Sequence, residues 1–355
     1  MPAITIETIT IESRKIGGGE PVFIIAELSG NHQQNLSVAL DAIAAMKEAG
    51  ADAVKLQTYR PDTITMDSAQ ECFQITQGTI WDGRTLYQLY TEAATPWDWY
   101  PRLKHAAQAL GLICFSSPFD MTAVDYLQTM DAPAYKIASF EITDIPLIRY
   151  AASKGKPIIL STGIAELADI EEAITAVRET GNNEIALLKC ASVYPTPFEE
   201  LNLRAMPYLG ERYSVVMGLS DHTTGHSAAA AATALGASII EKHFILDKAL
   251  GGPDAAFSLD PAEFAAMVKA VREVEAALGR ADYTISERVG KSREHARSLF
   301  AVKAVRALEP FTEDNVRSIR PGAGLHPRHL DEVLRKRAKV AIEKGTPLSW
   351  DIMCD

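Results

Sequence analysis

Eight short apolar runs punctuate the first 245 residues: 22–28, 53–58, 112–117, 134–139, 157–162, 185–190, 214–220 and 238–244. Nearly every one ends in polar or ionisable side chains. In order, the ends carry Glu27, Lys55 with Gln57, Ser116 with Ser117, Lys136 with Ser139 and Glu141, Ser161 with Thr162, Lys189 with Cys190, Ser220 with Asp221 and His222, and Glu241 with His243. Burying an unpaired charge is costly, so charge repeatedly placed at the ends of buried strands demands a compensating use. Eight parallel strands alternating with helices close into a (β/α)8 TIM barrel. Their C-terminal ends converge on the one face that carries active sites in that fold. The pattern predicts an α/β enzyme.

Helical periodicity fills the gaps at 36–49, 97–110, 122–130, 146–154, 167–179, 226–235 and 261–278, several of them closed by a glycine just past the last turn. Ahead of the first run, residues 4–16 alternate (Ile4, Ile6, Ile9, Ile11) and meet three glycines, which predicts a hairpin closing the N-terminal end of the barrel. The segment 59–95 is too long for an ordinary βα connection and carries Trp81, Tyr87 and Tyr90, as a lid or binding segment does. A second break, 247–260, holds Gly251, Gly252, Pro253 and Asp254. Past Gly279 the periodicity changes. The expected organisation is a barrel domain over 1–280, a polar linker over 281–297, and a small β-rich module over 298–355. Within that module 310–314 (PFTED) echoes 347–351 (PLSWD), suggesting two related halves.

A formal net charge of -11 argues against nucleic acid as a partner. It does not exclude an anionic substrate, because a few clustered lysines reverse the local field. The four cysteines share no CxxC spacing, so neither a disulfide framework nor a zinc cluster is expected. No apolar run approaches the roughly 18 residues that span a bilayer, and a cytoplasmic protein is expected.

His222 and His243 end adjacent strands. Two imidazoles converging with positions left over suit a divalent metal that keeps water and a substrate oxygen as ligands. The bland alternative bonds them to backbone, Asp221 or Glu241. Lys55 and Lys136, beside Ser117, Ser139, Thr162 and Ser220, make an anion pocket with point charges for phosphate and hydroxyls for its other oxygens. Structural ion pairing of the lysines with Glu27 and Glu141 is compatible with that use. Glu27 itself reads as a general base, a sugar-hydroxyl acceptor or a partner of Lys55. His32 reads as a loop or cap residue, and Asp254 as an acceptor for substrate hydroxyls.

The segments 25–32 (IAELSGNH), 51–59 (ADAVKLQTY), 135–139 (YKIAS), 218–222 (GLSDH) and 240–244 (IEKHF) together resemble the sialic acid synthase family, and the tail from Arg297 resembles that family's antifreeze-like (SAF) domain. Three further stretches, 80–90 (IWDGRTLYQLY), 114–119 (CFSSPF) and 320–327 (RPGAGLHP), look like its pseudaminic acid synthase branch. The resemblance implies condensation of phosphoenolpyruvate with 2,4-diacetamido-2,4,6-trideoxy-L-altrose and water, giving a nine-carbon 2-keto acid and phosphate. The alternatives are an N-acetylneuraminate or legionaminate synthase and, more remotely, an unrelated barrel metal lyase or aldolase. By motif, phosphoenolpyruvate falls on Lys55, Ser117, Lys136, Ser139, Thr162 and Ser220. A divalent metal, manganese foremost with magnesium or cobalt as alternatives, falls on His222 and His243. Sugar contacts fall on Glu27, Tyr194, Asp254 and Arg320, and proton transfer on Glu27 or Glu141. The family's homodimer would exchange C-terminal domains, bringing Arg320 to the partner's barrel mouth.

Overall fold

A computed structural model describes residues 8–355, so Ile4 and Ile6 of the expected hairpin lie outside the described residues. The chain divides into two compact units, one up to Gly279 and one from Arg280. In the first, β1 (Thr8–Ile11) and β2 (Arg14–Gly17) form an antiparallel hairpin. Eight parallel strands follow: β3 (Phe23–Glu27), β4 (Ala53–Thr58), β5 (Ile113–Pro118), β6 (Tyr135–Ile137), β7 (Ile158–Ser161), β8 (Ile185–Lys189), β9 (Val216–Asp221) and β10 (Ile239–His243). Each pairs with its neighbour, and β10 pairs with β3 to close the barrel.

The period of two along each strand sorts side chains between two cores. Outward residues such as Ile24, Val54, Leu56, Cys114, Tyr135, Leu160, Leu187 and Ile240 pack beneath the helices. Inward residues Phe23, Ile25, Ala53, Phe115, Ala134, Ile159, Ala186, Leu188, Val216 and Ile239 fill the barrel, and Ile9, Ile11 and Ile16 of the hairpin join them as a plug. Gly218 also faces in. A Cβ there would stand 2.4 Å from the Ile239 carbonyl oxygen, so the crowded interior excludes any larger residue. Continuing the same parity toward the strand C-termini puts Glu27, Lys55, Ser117, Lys136, Ser161, Cys190, Ser220, Glu241 and His243 above this apolar floor.

The opposite parity explains a second ion pair. Lys242 and Asp221 point outward, side by side on β10 and β9, and both side chains are fully buried. Lys242 Nζ lies 2.7 Å from Asp221 Oδ2 and also donates to the Thr223 carbonyl, while Asp221 Oδ1 accepts from the Thr223 amide at 2.9 Å.

Two helices of eight or more residues were not expected from the periodicity. Ala205–Tyr213 contains Pro207 and Gly210, both of which read as breakers. Pro207 is the third residue of the helix, where the backbone N–H has no intrahelical acceptor to lose. Leu86–Ala93 lies inside the long segment after β4 and starts at a capping box, in which Thr85 accepts from the Gln88 amide. Residues 281–297 also hold a short helix, Glu287–Ser292, followed by a 3-10 turn.

In the second unit β11 (Ser298–Ala301) pairs with β12 (Val316–Ile319), and β13 (Arg337–Ala338) with β14 (Met353–Cys354). Ala301 faces Val316 and Ala338 faces Met353, so equivalent pairs recur 37 positions apart. The same spacing relates Val305 to Ile342, which bridge one another, and Phe311 to Leu348; all lie in the one core of this unit.

Candidate active site

The ionisable strand ends converge on a cavity of about 210 Å³ at the C-terminal face of the barrel. A larger concavity, about 950 Å³, opens at the strand N-termini beside Val22, Val215 and Ser238. Its one arginine, Arg272, is already committed to Asp52, Glu275 and the Val22 carbonyl. The chemistry therefore sits in the smaller cavity.

Lys55 Nζ lies 2.6 Å from Glu27 Oε2 and 3.1 Å from Glu241 Oε1. Lys136 Nζ donates to Ser161 Oγ at 2.7 Å and to the Ile137 carbonyl at 3.0 Å, and stands 3.8 Å from Glu241 Oε1. Ser220 Oγ donates to the same Glu241 oxygen at 3.0 Å. Burial, partly offset by the attraction of Glu241, brings the Lys55 ammonium down to about 8. Burial raises the Glu241 carboxyl, but the Lys136 and Lys55 ammoniums outweigh it and hold the group below its ordinary value. The cluster gathers two lysines and two glutamates, whose formal charges balance.

Beside it, Ser139 Oγ and Ser192 Oγ are 2.5 Å apart. A Cβ on Gly163 would fall 2.2 Å from Ser192 Oγ and 2.5 Å from Ser139 Oγ, so glycine alone lets these hydroxyls meet. Ser117 faces inward with its buried Oγ unpartnered, outside the cavity lining. Two expectations shift. Thr162 leaves the cavity and donates to the Leu188 carbonyl at 3.3 Å, and Ser161, on the inward parity, lines the cavity in its place. Glu27 is fully buried and absent from the lining; it accepts from the Ser29 amide at 3.0 Å and holds Lys55.

The rings of His222 and His243 lie 5.2 Å apart between centroids. His222 Nδ1 lies 3.3 Å from the Ala191 carbonyl and 3.7 Å from Cys190 Sγ; in the tautomer that donates to that carbonyl, Nε2 carries the lone pair. Burial pushes the His222 imidazolium down to about 4. Burial, then the neighbouring His222 and Lys55, puts His243 well below its ordinary value. Neutral imidazoles are what metal coordination needs, and the buried Nδ1 of His243 has no hydrogen-bond partner. No group of three or more metal-ligating side chains exists among the described residues, so the candidate ligands are this pair alone. Asp221 and Glu241 do not orient these rings, being engaged with Lys242 and the lysines. His32 is turned away, with Nε2 on Thr95 Oγ1 and Nδ1 accepting from the Gln34 amide.

Glu141 lines the cavity with a buried, unpartnered Oε2, and burial raises its carboxyl to about 7 against the pull of Lys136. Asp254, also raised by burial, accepts from Ser29 Oγ and lies 4.0 Å from His243 Nδ1. Tyr194 lines the same wall, its ring tilted at 57° to that of His222 with 4.6 Å between centroids. Arg320 is exposed in the second unit, just past β12. Sequence reasoning gave Ser192 and Phe257 no place in the site and named Cys190 only as a strand end, although Cys190 and Phe257 line the cavity and Ser192 meets Ser139 beside it. Strand parity could have found Cys190; loop residues carry no such signal.

Comparison with known proteins identifies the family. Residues 42–283 match the NeuB family and residues 296–351 the SAF domain. The chain is 47% identical over 333 residues to the pseudaminic acid synthase of Helicobacter pylori, covering 94% of this chain and 98% of that one. It is 48% identical over 327 residues to the pseudaminic acid synthase of Campylobacter jejuni serotype O:2, covering 92% and 95%. The solved N-acetylneuraminic acid synthetase of Leptospira borgpetersenii, in complex with citrate, superposes with a TM-score of 0.71 at 32% identity, over 81% of this chain and 95% of that one. With a family match across most of its length and relatives nearly half identical over more than nine-tenths of it, the chain belongs to the NeuB family and carries a SAF domain C-terminal to its barrel in sequence.

Proposed function

We propose that the protein is a transferase that condenses phosphoenolpyruvate with 2,4-diacetamido-2,4,6-trideoxy-L-altrose and water, forming a nine-carbon 2-keto acid and phosphate. The observation that carries this reading is one cavity where two inward lysines and a set of hydroxyls adjoin a neutral histidine pair. Identity of 47–48% to pseudaminic acid synthases over 92–94% of the chain supports the choice of sugar.

Lys55 and Lys136, with Ser139 and Ser220, bind the phosphate and carboxylate of phosphoenolpyruvate; Ser161 keeps Lys136 in place, and Glu27 keeps Lys55. Asp254 and Tyr194 orient the open-chain sugar, with Asp254 accepting from its hydroxyls. Synthases of this family are metal-dependent, and His222 and His243 would hold the divalent ion, manganese by resemblance. When bound, such an ion supplies Lewis-acid polarisation of the sugar aldehyde. C3 of the enol attacks that aldehyde carbon, water adds at C2, and phosphate leaves with cleavage of the C–O bond. Glu141, beside the Lys136 that holds phosphoenolpyruvate, accepts the proton from the water.

That role fixes a pH dependence. Glu141 must be ionised to act as base, and its carboxyl titrates near 7. Turnover should therefore rise with pH through about 7, and Glu141→Gln should lower kcat by roughly 100-fold and flatten that limb. A variant keeping the limb would assign it to another group.

The enzyme works in the cytoplasm as a homodimer that exchanges C-terminal modules and brings Arg320 to the partner's sugar. Exposed Phe140, Ile164, Val193 and Phe198, on the loops after β6, β7 and β8, support burial of this face against a second copy.

The test is phosphate release from phosphoenolpyruvate with a divalent metal and, separately, the altrose or N-acetylmannosamine. Release with the altrose alone is expected. Release with N-acetylmannosamine alone would keep the reaction and replace the sugar; release with neither, in folded and metal-loaded protein, would overturn the reading.

A further inference from the structure

Above the charged floor, the cavity is walled by two aromatic trios. Trp81, Tyr194 and Phe257 meet at centroid distances of 5.4, 5.1 and 6.4 Å. Tyr59 meets Tyr90 at 5.8 Å and Phe119 at 5.1 Å. All six line the cavity. Trp81 and Tyr90 come from the long segment after β4, so this insertion supplies wall rather than catalytic charge. The one polar atom of the indole is spent: Trp81 Nε1 donates to the Pro253 carbonyl at 2.7 Å, next to Asp254. That bond pins the ring over the cavity with only its apolar surface left to offer.

Neither phosphate nor carboxylate gains from such a wall. A hydroxymethyl group set against the indole face would lose its water partners and find no replacement there, whereas a methyl group loses nothing and buries apolar area. We infer that Trp81 is a specificity-determining residue that reads the methyl groups of the sugar, its acetamido methyls and the deoxygenated C6, against a hydroxylated competitor. This rests on the condensation proposed above and narrows it to sugars rich in methyl groups. An apolar contact of this size discriminates by about 10–200-fold.

Two measurements test it on the full-length enzyme. Trp81→Ala should raise the KM for the diacetamido-trideoxy-altrose by about 10–200-fold and leave the phosphoenolpyruvate KM within about twofold. Trp81→Phe, which keeps an aromatic face and loses the bond to Pro253, should recover most of that loss. The second measurement is saturation-transfer NMR with the corresponding alditol, which lacks the aldehyde and cannot react. Its methyl protons should be saturated more strongly than its ring-chain protons in the wild type and in Trp81→Phe, and not in Trp81→Ala. An unchanged sugar KM in Trp81→Ala, an equal rise in both KM values, or alditol methyls no better saturated than the chain would overturn the inference. Methyl saturation without phosphate release from the altrose would keep the wall and reject the reaction.

Discussion

Replacing His243 with alanine should lower turnover by about three orders of magnitude or more while the barrel stays folded. A Lewis acid contributes several kcal/mol of transition-state stabilisation, and each ~1.4 kcal/mol is tenfold in rate. His243 ends β10 with a neutral ring and a free, buried Nδ1, so the loss falls on a ligand rather than on the sheet. Its backbone bond to Leu259, donated by the Leu259 amide at 2.9 Å, survives the substitution. Turnover by phosphate release, metal content by elemental analysis and folding by circular dichroism check the three parts. Undiminished turnover with metal still bound would remove His243 from the chemistry.

Asp221→Ala should cost about 3–5 kcal/mol of stability, because it leaves the Lys242 ammonium buried with no counter-charge. The double variant Asp221→Leu with Lys242→Met removes both charges and should return most of that loss, since an apolar pair of similar volume suits the layer beneath the helices. Urea unfolding of the two variants and the wild type measures the difference. Asp221 precedes His222, so the single variant alone would not separate stability from chemistry; recovery of both stability and turnover in the double variant would. A single variant as stable as the wild type would mean that Lys242 finds water or another partner.

How much was legible beforehand depended on whether a residue belongs to a strand. The eight runs, the closing strand order and the inward lysines follow from a period of two, which fixes side-chain direction from sequence. Lys55 and Lys136 kept their expected places for that reason. Thr162 did not, because it breaks the parity that Ile159 sets and that Ser161 obeys. Glu27 sits on the correct face and still misses the cavity, because Lys55 covers it; the alternation tells direction but not which of two neighbours lies deeper. The helix at Ala205–Tyr213 was hidden by Pro207, a residue that breaks helices except in the first turn. Trp81 and Phe257 reach the site through loop paths that no period encodes. The preference for Glu141 over Glu27 as base needed the burial of each carboxyl, a property of the folded surroundings alone.

The 37-residue recurrence in the C-terminal unit has a bearing on how that unit folds. Its two halves do not own separate cores. Val305 of one bridges Ile342 of the other, and both sets of apolar residues merge in a single cluster. Each half contributes a two-stranded ladder of only two to four residues, too little to persist alone in water. The halves must therefore acquire structure together, in one cooperative step. Damage to one, such as a polar residue at Val305, would unravel its counterpart as well, making the duplication a shared vulnerability instead of a spare.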